Sequence, residues 1–420
     1  MYAMRSRKRL CFALAYVAAL LLLLSCKPSP NISTYGNYRS TKQKLVFSLG
    51  TPNSGGCDVR ILALTENQNN GPVLQQYYTS TQCSAVANGL TSSGYTQVAR
   101  LRSDQSSASD QGYFWMLSPD SPDGAPATDA GVYALDPNTL DIVASVATPG
   151  PIPLGIVVNH ARTFAYATIQ GVPSGETGVP AHPPEIVAIS TATFSIAQTI
   201  NLPQGANPGT PVLSPDDRYL YVPSDGISSG VFVVDMQNTA SITAIPVTIT
   251  DRNGNALPEN VNQGVITPDG ELLFVMESGS AGGGVYAFDT VTQQQTGRLI
   301  LPPEQGNIQS TLALAIDPTG SRVYVLGAAG VGSQTTYTGY VTAFDTASLT
   351  QTGSVTLKQG IYPSSMGISL DGTTLFASDQ NSSTIFGIDA VSLAVTEFDL
   401  PPAPPDPSGL PYAYSLLVIE

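Results

Sequence analysis

Apolar positions in this chain recur in short alternating runs, each stopped by Gly, Pro, Asn or Asp. One kind of run ends in Asp and a turn: GVYALD (131–136), GVFVVD (230–235), GVYAFD (284–289), YVTAFD (340–345) and TIFGID (384–389). EIVAIS (185–190) follows the same pattern with Ser190 in the last place, and the six end residues lie 54, 45, 54, 56 and 44 positions apart. A second kind joins an apolar strand to an aromatic one through a tight turn. Examples are PVLSPDDRYLYV (211–222), GVITPDGELLFV (264–275), LAIDPTGSRVYV (314–325) and GISLDGTTLFAS (367–378), with GIVVNHARTFAYA (155–167) as a variant. At the centre of each, Pro presets φ, Asp bonds its own backbone and Gly accepts positive φ. Alternation with a period of two predicts strands, and helical spacing is almost absent after residue 26, so the fold class is all-β.

A period of 44–56 residues suits a four-stranded propeller blade. With strands A to D running from inner to outer, A is GIVVN (155–159), B is TFAYAT (163–168), C is EIVAIS (185–190) and D is FSIAQTI (194–200). The same order fits 96–147, 209–248, 262–300, 311–357 and 364–399. Together the two signatures resemble the YVTN-type β-propeller repeat, related to lactonase-like propellers, over most of residues 96–420. The resemblance speaks to architecture and hardly to activity, because unrelated functions share propellers. Six blades leave two remainders. YAYSLLVIE (412–420) is an A-like strand without a B; LVFSLG (45–50), VRILAL (59–64) and VLQQYY (73–78) are a B, C and D without an A. One plus three completes a blade. The expectation is a seven-bladed β-propeller of four antiparallel strands per blade, its ring closed by a shared blade that hides an open sheet edge.

The first 25 residues read differently. Arg5, Arg7, Lys8 and Arg9 precede an unbroken apolar run of 15 residues, Leu10–Leu24, then Ser25 and Cys26. A charged start, a short apolar core and a small residue before a break describe an export signal. At about 1.5 Å per residue the run reaches roughly 22 Å, short of the roughly 30 Å bilayer core. Leu23-Leu24-Ser25-Cys26 resembles a bacterial lipobox. That resemblance implies acylation of Cys26, anchorage in the cell envelope and, with Lys27 following, the outer membrane where the organism has one. The domain plan is therefore a signal peptide at 1–25, a polar Pro/Ser tether at 26–44 and a propeller at 45–420.

Charge narrows the partners. Without the four bases of the signal, 13 bases face 31 acids, a formal −18 that repels phosphate backbones and excludes nucleic acid. Cys11 leaves with the signal and Cys26 takes lipid, so Cys57 and Cys83 remain as a pair in an oxidising compartment. Cys57 precedes a C strand and Cys83 follows a D strand, which puts both at one end; a disulfide there would contribute about 3–4 kcal/mol.

In this topology the B–C and D–A loops (118–130, 169–184, 249–263, 301–310, 327–338, 400–411) leave one face, and short uniform turns leave the other. Variable loops on a rigid scaffold are where binding sites usually lie. The candidates for a binding face are Glu176, Asp225, Asp251, Arg252, Glu277 and Asp379, with Glu259 and Glu304 beside them. The recurrent Asp136, Asp235, Asp289, Asp345 and Asp389 read as turn formers. Of the two histidines, His160 occupies a short turn and His182 the variable face, so His182 is the one candidate for acid–base work. No zinc pattern, nucleophile elbow or phosphate-binding loop occurs, and no cofactor or metal is expected. Three readings remain: a non-enzymatic module binding a protein, peptide or glycan; a lactonase-like hydrolase with its site at the channel mouth; and a structural envelope component. Replacing Cys26 with Ser is expected to abolish acyl labelling of the expressed full chain and to move it from the membrane to the soluble fraction, as metabolic labelling with a palmitate analogue would read.

Overall fold

The computed structural model describes residues 43–50, 57–66, 72–79, 98–99, 112–118, 131–135, 142–150, 153–172, 181–227, 229–249, 261–277, 284–301, 309–330, 337–369, 371–379, 384–399 and 412–419. Expectations for the signal, Cys26 and most of the tether lie outside these residues.

Among the described residues the strands form seven antiparallel sheets. The first holds β1 (Gln43–Gly50), β2 (Cys57–Glu66) and β3 (Pro72–Thr79). The second is β4 (Val98–Ala99), β5 (Phe114–Ser118), β6 (Gly131–Leu135) and β7 (Ile142–Ala147). In the third, β8 (Pro153–Val158), β9 (Phe164–Ile169), β10 (Glu185–Ser190) and β11 (Ser195–Asn201) follow in order. The fourth has five strands: β12 (Ala206–Pro208), β13 (Val212–Leu213), β14 (Tyr219–Gly226), β15 (Gly230–Asp235) and β16 (Ile242–Ile245). β17 (Val261–Ile266), β18 (Leu272–Glu277), β19 (Val285–Asp289) and β20 (Gln294–Leu299) make the fifth. The sixth is β21 (Gln309–Ile316), β22 (Arg322–Gly330), β23 (Tyr337–Asp345) and β24 (Gln351–Gln359). β25 (Pro363–Ile368), β26 (Thr374–Asp379), β27 (Thr384–Asp389) and β28 (Val395–Asp399) form the seventh. The last strand, β29 (Tyr412–Ile419), pairs antiparallel with β1, from Lys44 opposite Ile419 to Gly50 opposite Tyr412. It also lies near β25, β26 and β4.

All-β architecture in four-stranded antiparallel sheets is thus as the alternation predicts. The fourth sheet is the exception. Its innermost strand is broken into β12 and β13, both paired with β14. Gly209, Thr210 and Pro211 fill the break. Pro211 has no N–H to offer a ladder, so pairing stops there.

Apolar clusters join consecutive sheets. Val132 and Ala134 pack with Val187 and Ile189, Ile186 and Ala188 with Phe232 and Val234, and Val231 and Val233 with Tyr286 and Phe288. Val285 and Ala287 then meet Phe344, and Val341 and Ala343 meet Phe386 and Ile388. Alternate residues of the third strands β10, β15, β19 and β23 therefore serve two neighbours, which is why these strands read as nearly continuous apolar runs.

Two repeated contacts tighten the stack. The turn after the third strand places a non-glycine residue at positive φ: Phe194 (50°), Gln293 (54°), Leu349 (57°) and Leu393 (57°). Such a conformation costs about 1–2 kcal/mol for a residue with a Cβ. It is offset where the side chain reaches back to the preceding sheet. Phe194 stacks edge-on to Tyr113, with ring centroids 5.1 Å apart, while Leu349 fills the space over Gly297 and Leu393 that over Gly353. The inner strands also approach closely: a Cβ on Gly209 would overlap the Asn262 carbonyl oxygen. Gly209→Ala must push apart the backbones of two sheets, whereas Gly360→Ala, with nothing within 4 Å but φ of +85°, meets backbone strain alone. The unfolding free energy from urea titration is expected to fall in both, by about 1 kcal/mol for Gly360→Ala and by up to about 3 kcal/mol for Gly209→Ala.

Candidate functional site

The two ends of the sheets differ in what their polar groups do. At the short-turn end, carboxylates are engaged by the chain itself. Asp289 Oδ1 accepts from the Thr292 backbone N (2.7 Å) and hydroxyl (2.9 Å); Asp345 does the same with Ser348, and Asp389 with Ser392. Backbone N–H donation holds all three below the usual carboxylate range. Hydroxyl and backbone donors similarly lower Asp216, beside Ser214, and Asp269, beside Thr267. Asp235 accepts from the Gln237 N (2.9 Å), so the turn-forming role holds at each described member of that Asp series. His160 lies here too, its Nδ1 2.6 Å from Asp217 Oδ1, in a contact between turns of the third and fourth sheets.

At the opposite end, the second strands of five sheets pass through equivalent places. Ile169, Ser224, Glu277, Gly327 and Asp379 stand opposite Pro153, Pro208, Val261, Thr311 and Pro363 of the innermost strands. One step further in, four innermost strands carry a bulge, with Leu154, Asn262, Leu312 and Ser364 as the extra residues. The break at 209–211 occupies the same level of the fourth sheet. These bulge residues are half-buried. A bulge bends its strand and re-aims a side chain, a device common at barrel rims and beside sites.

Glu277 is 2% exposed. Burial raises its carboxyl above the ordinary range, opposed by the Arg298 guanidinium and the Tyr286 hydroxyl. Arg298 also lies over the Tyr286 ring, 5.5 Å from its centroid. The Glu277 backbone carbonyl accepts from Thr311 Oγ1 (2.6 Å), tying the fifth sheet to the sixth. Asp379 is fully buried, and its Oδ1 accepts from the Tyr362 backbone N at 2.9 Å. Beside it, the Ser378 hydroxyl meets that of the bulge residue Ser364 at 2.9 Å. Asp225 is half-buried and accepts from Asn207 Nδ2. His182 pairs with Val172 in an isolated bridge, and its Nε2 is 3.6 Å from Glu185 Oε1.

Asp225, Glu277 and Asp379 therefore sit at the loop ends of three different sheets, two of them as buried carboxylates held by their own surroundings. Glu176, Asp251, Arg252, Glu259, Glu304 and Cys83 lie outside the described residues, and Cys57 opens β2. Among the described residues, no three His, Cys, Asp or Glu side chains are grouped to hold a metal. Glu185, Tyr286, Arg298, Asn207 and the bulges went unread in the sequence. Glu185 left one signal: it opens EIVAIS where three sister runs open with Gly.

No protein-family model matches the sequence, and no curated protein does. Solved structures do resemble it. A Lactobacillus plantarum protein aligns at 16% identity and a TM-score of 0.58, over 90% of this chain and 99% of that one. The periplasmic gluconolactonase of Pseudomonas aeruginosa aligns at 15% identity and 0.58, over 90% and 99%. A Bacteroides fragilis protein described as a candidate 6-phosphogluconolactonase gives 13% and 0.56, over 92% and 100%. At such identities the likeness establishes the fold, and the chain is a β-propeller protein.

Arg298→Met would leave Glu277 buried without its cation. The expected cost is at or below the about 3–5 kcal/mol typical of a broken buried pair. Because burial raises the Glu277 carboxyl, its share of stability is present below the ordinary glutamate value and lost as pH rises through the raised one. The variant should therefore lose most at neutral and alkaline pH, and Glu277→Gln in the same chain should restore much of the loss; denaturant midpoints at pH 5 and 8 would read both.

Proposed function

We propose that this chain is an exported, lipid-anchored envelope protein whose seven-bladed ring, closed by β29 joining β1–β3, binds a protein, peptide or glycan across its long-loop face. The observation that supports a binding face at that end is the asymmetry between the ends. Described aspartates of the short turns are occupied by local N–H and hydroxyl donors, whereas the loop end carries a repeated bulge on the innermost strands. Bulges with half-buried Asn262 and Ser364 supply amide and hydroxyl groups on a rigid wall, suited to hydrogen-bonding a neutral polar ligand.

The second reading is a lactonase-like hydrolase at the same end. It is favoured by the near-complete alignment with two chains described as a gluconolactonase and a candidate 6-phosphogluconolactonase. His182, packed beside Glu185, is the acid–base candidate in that reading.

One set of variants separates the two. The purified full chain would be screened for binding on an immobilised panel of envelope glycans and peptides, and for turnover of lactones and esters. Binding that weakens at least about tenfold, a cost of about 1.4 kcal/mol, in Asn262→Ala with Ser364→Ala, while Asp345→Ala leaves it unchanged, supports the binding module. Turnover that disappears in His182→Ala would replace that reading with the hydrolase.

A further inference from the structure

We propose that His182 and Glu185 form a proton-dependent brace at the junction of the second and third sheets, tight while the pair holds one proton and loosened as that proton leaves. Glu185 opens β10 and is 3% exposed, opposite Ile169 of β9 and Asn201 of β11. His182 lies three residues earlier, its side chain 15% exposed. Two backbone bonds with Val172 (2.7 and 3.0 Å) fix its place. Its ring packs against the link from β7 to β8: a Cβ on Gly150 would stand 2.9 Å from His182 Nδ1.

The polar accounting is what makes the pair responsive. His182 Nδ1 and Glu185 Oε1 are buried without a hydrogen-bond partner. Nε2 and Oε1 are 3.6 Å apart, outside hydrogen-bond reach yet close enough for strong attraction at low effective dielectric. With one proton, imidazolium faces carboxylate and each buried charge has its counter-charge. Once that proton is lost, a carboxylate stays buried beside a neutral ring, a costly arrangement. Among the described strands around the pair, β5, β6, β7, β9 and β11 carry no Asp, Glu, Lys or Arg, and β10 carries Glu185 alone. In the chain these strands are flanked by Asp136, Asp141 and Arg162, and their phenols are Tyr133 and Tyr166, with Tyr113 just before β5; phenols ordinarily ionise only near pH 10. Burial raises the Glu185 carboxyl, with His182 opposing. A raised carboxyl contributes stability at low pH that is lost as pH rises, so Glu185 loosens the junction in the alkaline direction.

Trp115, the chain's one tryptophan, reports on this junction. It is fully buried in the cluster holding Val187, Ile189 and Ile169. Its emission would be followed in the full chain from about pH 5 to about pH 8.5, the range above the ordinary glutamate value into which a raised carboxyl moves. The wild type should show a reversible red shift on the alkaline side. Glu185→Gln should show none, having no carboxylate to strand. In His182→Gln the shift should begin at lower pH, since the carboxyl then titrates alone. A wild type without the shift, a Glu185→Gln chain that keeps it, or a His182→Gln curve superimposed on the wild type would each overturn the proposal. If circular dichroism shows that Glu185→Gln does not fold, the His182→Gln curve decides.

Discussion

Each sheet of this protein can satisfy its own backbone hydrogen bonds, but none can bury its own faces. Its stability therefore rests on apolar packing between consecutive sheets. The third strands β10, β15, β19 and β23 carry the heaviest demand, since their alternate residues must fill two junctions at once, as Val231 and Val233 face one neighbour and Phe232 and Val234 the other. Polar side chains in the middle of such strands would need partners on both sides of a dry junction. They are consequently pushed to the strand ends.

At the ends, the same packing decides which polar groups are spent and which are offered. The short turns consume their carboxylates locally, through backbone N–H groups two or three residues away. At the loop end, three carboxylates enter the junctions themselves and are met by three different solutions. Glu277 has an arginine and a phenol, Asp379 a backbone N–H, and Glu185 a histidine just beyond hydrogen-bond reach. Of these three, the last alone faces its partner across a gap with no hydrogen bond between them.

Outer strands face a separate demand, because their edges would otherwise lie open. Side chains bridge them in place of a further strand. Gln295 pairs its amide with both backbone groups of Thr248, Gln198 reaches Thr239 at 2.6 Å, and Lys358 meets Glu397 at 2.7 Å. These exposed contacts add little energy individually. They hold adjacent rims in register, while the junctions beneath supply the stability.

Strand type, turn chemistry and the four-stranded repeat were legible in the residues because each is local. Period-two alternation sets a strand's faces, and Asp followed by Ser or Thr two or three places on sets a turn. The strands read at 155–159, 163–168, 185–190 and 194–200 became β8 to β11 with ends shifted by a residue or two. The bulges at Leu154, Asn262, Leu312 and Ser364 and the break at Pro211 were not legible from alternation, since an extra residue is defined only by the partner strand it fails to pair with. Nor could composition say that Glu185 would be buried beside His182, or that Arg298 would come across from an outer strand toward Glu277. Those outcomes depend on how closely one sheet settles on the next, which brings together groups far apart in the chain and leaves some of them no water to turn to.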